Sequence, residues 1–116
     1  MTHKQNSFTL LSVAALRTRR SALFKRMPDA RGVIQGAVQH QYRKCGREGC
    51  RCAQGDLHGP YVYLAVRTKE RRGMVYVPAD AVQMVEKHVE VARRIEEVLN
   101  EISAINLELL ARGELD

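Results

Sequence analysis

Lys44-Cys45-Gly46-Arg47-Glu48-Gly49-Cys50-Arg51-Cys52-Ala53-Gln54-Gly55-Asp56-Leu57-His58-Gly59-Pro60-Tyr61 is the stretch that decides how this chain of 116 residues folds. It holds all three cysteines, and with His58 the order is C-x4-C-x-C-x5-H. A tetrahedral zinc ion takes four soft or borderline donors, and three Cys with one His is a common structural set. Donors this close in sequence converge only if the chain folds back sharply. Gly46, Gly49, Gly55 and Gly59 supply the conformational freedom for that. Cys50 and Cys52 would face opposite sides of a strand, so a turn must separate them if both are ligands. Arg47 and Arg51 favour the thiolate form that binds metal. The set predicted to hold zinc is therefore Cys45, Cys50, Cys52 and His58, with His40 as a competing fourth ligand.

Two other accounts of the cysteines exist. Spacings of four, one and five match no standard zinc finger or knuckle, where C-x2-C repeats. Ordinary free thiols are the blander account, but free Cys is usually buried in apolar surroundings and these stand in a polar loop. A redox thiol site is the other. The odd count argues against a complete internal disulfide framework.

Outward from the loop, both flanks alternate in character. In residues 33–44, Val38, His40 and Tyr42 fall on one side, and Ala37, Gln39, Gln41 and Arg43 on the other, which predicts a strand. Pro60 opens a second strand over Tyr61–Thr68, where Tyr61, Tyr63, Ala65 and Arg67 alternate with Val62, Leu64 and Val66. Lys69–Gly73 is a polar loop of a hairpin whose second strand is Met74–Pro78. Three strands make a sheet that a lone hairpin would not.

Helices are expected at both ends of the chain. Residues 1–6 are polar and should fray. Ser7 or Thr9 is a candidate cap for a helix over 7–27, with Leu10, Val13, Leu16, Leu23 and Phe24 on its apolar side and Arg17, Arg19, Arg20, Lys25 and Arg26 making it basic. Asp80 is the candidate cap of a helix over 80–112, apolar at Val82, Val85, Val89, Ala92, Ile95, Leu99, Ile102 and Leu109, with Gly113 as its stop. At 1.5 Å per residue it reaches roughly 50 Å. That is longer than one small body covers, so the N-terminal helix can cover part of the seam, and over residues 82–110 a partner helix or a second copy of the chain, as a homodimer, is expected to cover the rest. Asn106 on the seam is a candidate for fixing register. The predicted class is α+β, a single domain: N-terminal helix, three-stranded antiparallel sheet with a Cys-rich loop over 33–78, and a long C-terminal helix.

The net charge of +6 is unevenly placed. Residues 1–80 hold fifteen Lys/Arg against five Asp/Glu, whereas 81–116 hold four against eight. A basic body suggests a polyanionic partner. Candidate contacts to nucleic acid are Arg43, Lys44, Arg47 and Arg51 at the cysteine loop, Arg67, Lys69, Arg71 and Arg72 at the hairpin, and Arg17, Arg19 and Arg20 on the first helix. Tyr61, Tyr63 and Tyr76 offer stacking for single strands, although strand tyrosines more often pack within a sheet. No segment approaches the roughly 18 apolar residues of a membrane span. Residues Phe8–Leu16 lack a cleavage pattern, and with reduced thiols this leads us to expect a cytoplasmic protein.

Cys45-Gly46-x-x-Gly49-Cys50-Arg51-Cys52, Gly55-x-x-His58-Gly59-Pro60-Tyr61-x-Tyr63-Leu64, Val75-Tyr76-Val77-Pro78 and Asn106-Leu107-Glu108-Leu109-Leu110 carry a resemblance. Over roughly Gly36 to Leu110 the chain resembles a family of small uncharacterised bacterial and archaeal proteins with a domain of unknown function, often beside transposases or integrases. The resemblance implies a mobile-element setting and favours DNA over RNA as the partner. It implies no activity. Four ligands would leave a zinc ion no open position for water, and the sequence has no H-E-x-x-H and no phosphate-binding glycine loop, so catalysis is not expected. A protein-interaction adaptor using the long helix, with the zinc loop purely structural, is the competing function.

Overall fold

The computed structural model describes residues 7–116, so the fraying expected of residues 1–6 lies outside the described residues. Five main elements follow one another: α1 (Val13–Lys25), β1 (Gly36–Arg43), β2 (His58–Arg67), β3 (Arg72–Val77) and α2 (Val82–Ala111). Short 3-10 turns precede α1 at Ser7–Leu10 and α2 at Ala79–Ala81. The α+β class and the element order match the expectation. The described residues divide into two compact units, residues 31–92 and residues 7–30 with 93–116.

The first unit is the sheet with the N-terminal part of α2. The strands are antiparallel in the order β1-β2-β3. Strand alternation sends Val62, Leu64 and Val77 inward, where Val38, Val66 and Val75 join them against Val82, Val85 and Val89 of the helix. The register pairs Gln39 with Tyr63 and Tyr63 with Tyr76. Next to the loop, Gln41 faces Tyr61 but Arg43 faces His58, so β2 carries one extra residue at Gly59-Pro60 opposite Tyr42. Gly59 is required there. Its φ is 135°, and a Cβ would lie 2.6 Å from the Gln41 carbonyl oxygen. Pro60 therefore sits within the strand rather than opening it.

The hairpin loop is shorter than expected. Pairing continues to Arg67–Arg72, so Arg72 and Gly73 belong to β3 and the turn is Thr68–Arg71. The Thr68 hydroxyl closes it, accepting from the Arg71 N–H at 3.1 Å and donating to the Arg71 carbonyl at 2.8 Å.

In the second unit α1 lies against the C-terminal part of α2. Leu16 and Leu23 are two turns apart on α1, Ile105 and Leu109 one turn apart on α2, and these four form the core. Burying each contributes about 1.5–3 kcal/mol. The cap of α1 is Ser12, whose Oγ accepts from the Ala15 N–H at 3.1 Å, not Ser7 or Thr9. Because the helix starts later, Leu10 falls in the preceding turn and is 88% exposed, and Phe24 is 69% exposed rather than core. Arg112 donates to the carbonyls of Leu11, Phe8 and Thr9, which ties the N-terminal turn to the end of α2. Asp80 stands inside the 3-10 turn before α2 rather than capping the helix.

Candidate metal centre

The loop between β1 and β2 brings its donors together because of one turn. Cys50 is extended (φ −77°, ψ 140°) and heads a 3-10 turn over Arg51–Gln54, which Gly55 ends at φ 113°. That turn lets Cys50 and Cys52 face a common point, as two ligands so close in sequence require. Cys45 arrives from the end of β1, and His58 is the first residue of β2. Gly46, Gly49, Gly55 and Gly59 all take positive φ.

The ligand atoms of Cys45, Cys50, Cys52 and His58 lie within 4.8 Å of one another. The Cys45 and Cys52 sulfurs are 3.5 Å apart, and the Cys50 sulfur is 3.1 Å from His58 Nε2. Tetrahedral zinc with Zn–S bonds of about 2.3 Å would hold its sulfurs about 3.8 Å apart. The cluster is therefore of the right size for one such ion, and the donor set suits it. His40 stands in mid-strand opposite Val62 and is not part of the cluster. His58 is the fourth member of the cluster.

Backbone amides complete the surroundings of the thiols. The Cys45 N–H points at the Cys52 sulfur at 3.3 Å and the Arg47 N–H at the Cys45 sulfur at 3.4 Å. Such donors offset thiolate charge and fix ligand orientation. The Cys45 N–H pulls the Cys52 thiol down to about 7, against the desolvation of a residue only 2% exposed. Cys45 moves the other way. The Arg47 N–H favours its thiolate, but the neighbouring Cys50 and Cys52 thiols and desolvation outweigh that and push it up. Thiols crowded at one point cannot all ionise equally, because each thiolate disfavours the next.

The cations divide into two groups. On α1, Arg17 pairs with Glu114 (3.6 Å) and Asp116 (3.7 Å), Arg19 with Glu101 (3.3 Å), and Arg20 with Asp116 (2.9 Å) and the Asn106 amide oxygen (2.8 Å). The hydrogen bond from Arg20 draws the Asp116 carboxyl below its ordinary range. Asn106 is thus occupied within the chain. Around the sheet the pattern differs. Among the described residues, no carboxylate pairs with Arg67, Lys69, Arg71 or Arg72. Lys44, Arg47 and Arg51 are exposed on the cysteine loop, Lys69 and Arg71 at the hairpin turn, and Arg67 and Arg72 face each other on the sheet. Arg43 lies 4.8 Å from the Tyr61 ring centre and 5.3 Å from that of Tyr63, and donates to the Tyr63 hydroxyl.

One grouping is not visible in the sequence. Gln39, Gln41 and Arg43 of β1, Tyr61 and Tyr63 of β2, and Met74 and Tyr76 of β3 share the sheet face away from the core. Each strand's alternation can be read locally. Which side of one strand joins which side of the next depends on pairing register, which shifts between β1 and β2 at Gly59-Pro60.

No helix of the described residues is long and apolar enough to cross a membrane. No curated protein and no solved structure matches the chain. A family model described as a domain of unknown function (DUF6788) matches residues 13–87, which takes in α1, the whole sheet and the cysteine loop. The match begins earlier and ends earlier than the resemblance seen in the sequence. With well over half of its length covered, the chain belongs to the DUF6788 family.

Proposed function

We propose that this chain is a small nucleic-acid-binding protein in which a zinc ion, held by Cys45, Cys50, Cys52 and His58, staples the loop between β1 and β2. Four protein ligands make a closed structural site, with no position left for a reacting water. The observation that carries the binding role is the charge of the sheet. Residues 36–77 hold eight Lys/Arg and three Asp/Glu, and the three strands themselves contain no carboxylate. Phosphate contacts by such cations dominate nucleic-acid affinity. The mobile-element setting implied by the sequence resemblance makes DNA the first partner to test. Titrating zinc-loaded protein into labelled random duplex and single strands, at salt from about 50 to 200 mM, should show binding that weakens steeply as salt rises. No binding at low salt would overturn the reading.

A second reading, a protein-interaction adaptor, draws on α2. Leu99, Leu107 and Leu110 are 51%, 64% and 58% exposed on that helix. A partner helix or a second copy would cover them, and the basic surface would then meet an acidic protein.

A further inference from the structure

The open face of the sheet carries more aromatic surface than its own packing uses. Tyr76 is 56% exposed, Met74 46% and Tyr61 36%, and the helical residues of this unit pack on the opposite side. Tyr63 meets Tyr76 edge-on with ring centres 5.7 Å apart, and Arg43 reaches over Tyr61 and Tyr63 from β1. The exposed amide of Gln39 sits opposite Tyr63. Arg67 and Arg72 close the far end of the face. Along β2, Tyr61 to Arg67 is three same-face steps, or about 20 Å. The face is thus a row of rings and amides with arginines at both ends and no carboxylate in any strand.

We infer that this face binds a single-stranded nucleic acid, with unstacked bases lying on Tyr61 and Tyr76 and with Arg43, Arg67 and Arg72 on its phosphates. The inference rests on the nucleic-acid reading above and assigns it a substrate class. Two features select a single strand. Rings on a flat sheet cannot reach bases stacked inside a duplex, whereas splayed bases stack readily on aromatic platforms. An acidic protein would match the charge but would not need the rings, while a single strand uses both. The glutamine amides can bond base edges of either DNA or RNA.

The chain has four tyrosines and no tryptophan, so its intrinsic fluorescence reports directly on these rings. Zinc-loaded protein is titrated with oligothymidine and oligouridine of about 20 nucleotides, and with a random duplex of the same length. Tyrosine fluorescence should be quenched by the single strands, and the stronger of the two separates DNA from RNA. Tyr61→Leu with Tyr76→Leu should weaken single-strand binding at least about tenfold, since each stacked base contributes roughly 1–3 kcal/mol. Zinc content and duplex binding should stay unchanged. Tyr61→Phe with Tyr76→Phe, which keeps the rings, should bind as wild type does. If the double Leu variant fails to fold, Gln39→Glu places a carboxylate on the same face and should weaken single-strand binding alone. A folded variant that binds single strands like wild type overturns the platform and leaves the broader reading standing on the duplex data. Wild-type protein that binds neither overturns both.

Discussion

Cys50 and His58 approach to 3.1 Å, with the Cys45 and Cys52 sulfurs 3.5 Å apart beside them, so removing any one leaves three donors where a tetrahedral ion takes four. Cys50→Ser should therefore release zinc, and because a structural ion is coupled to folding it should also unfold the loop. His58→Ala should behave alike while His40→Ala keeps the metal, since His40 stands outside the cluster. Metal analysis of the three purified variants checks this, and zinc retained by His58→Ala would reassign the fourth ligand. The pH dependence follows from Cys52. Its folded value of about 7 lies below the ordinary 9.0, so the Cys52 thiolate stabilises the folded loop fully above the unfolded value, and that contribution is lost as pH falls through about 7. Zinc competes with the same protons. Dialysis at about pH 8 should preserve loading and dialysis at about pH 5.5 should strip it. Zinc that a chelator removes equally readily at both values would mean the thiols are not the ligands.

At the scale of elements, the hairpin separates two kinds of arginine. Lys69 and Arg71 project at the Thr68–Arg71 turn, whereas Arg67 and Arg72 stand on the sheet at the end of the tyrosine face. Lys69→Ala with Arg71→Ala should lower the salt slope of log affinity for duplex by roughly 0.9 for each phosphate no longer neutralised. Arg67→Ala with Arg72→Ala should act mainly on single strands, where each neutralised phosphate carries a slope of about 0.7. All four sites are exposed, so melting should shift by no more than about 0.5 kcal/mol in stability. Equal effects of both pairs on both substrates would erase the distinction between turn and face. The elements themselves were legible in the sequence, because β alternation at Tyr61–Arg67 and the three- and four-residue steps of α2 are local signals. The clustering of Cys45, Cys50, Cys52 and His58 was legible for the same reason, as all four lie in or beside one loop. The extent of the hairpin and the common face of Gln39, Tyr63 and Tyr76 were not. Both depend on register across strands, which the Thr68–Arg71 turn sets between β2 and β3 and which shifts between β1 and β2 at Gly59-Pro60, and no local pattern encodes either. The cap of α1 was missed because Ser12 stands inside the stretch expected to be helical already, where a serine carries no local sign of a cap.

Across the whole molecule, the charge asymmetry resolves into two different uses. The acidic end of the chain neutralises α1, through Glu101, Glu114 and Asp116, while the cations of the sheet have no such counterpart in their own strands. The long apolar seam of α2 resolves likewise. Val82, Val85 and Val89 serve the sheet core, and Val98, Ile102, Ile105 and Leu109 serve the core with α1. Much of the surface that led us to expect a second copy is thus covered by the chain itself. Leu16→Ala should remove about 2–5 kcal/mol from the helical core, as fully buried leucines do when truncated. Because the Cys/His cluster lies in the other compact unit, the variant should carry as much metal as the wild type when purified. Leu99 belongs to neither core and is 51% exposed, so it decides the remaining question. Leu99→Glu should leave melting within about 0.5 kcal/mol of wild type and leave the solution mass as it was. Light scattering at tens of micromolar, on the order needed to populate weak assemblies, reads the mass. A mass that halves on this substitution would put Leu99 in an interface between copies, and the exposed leucines of α2 would then belong to assembly.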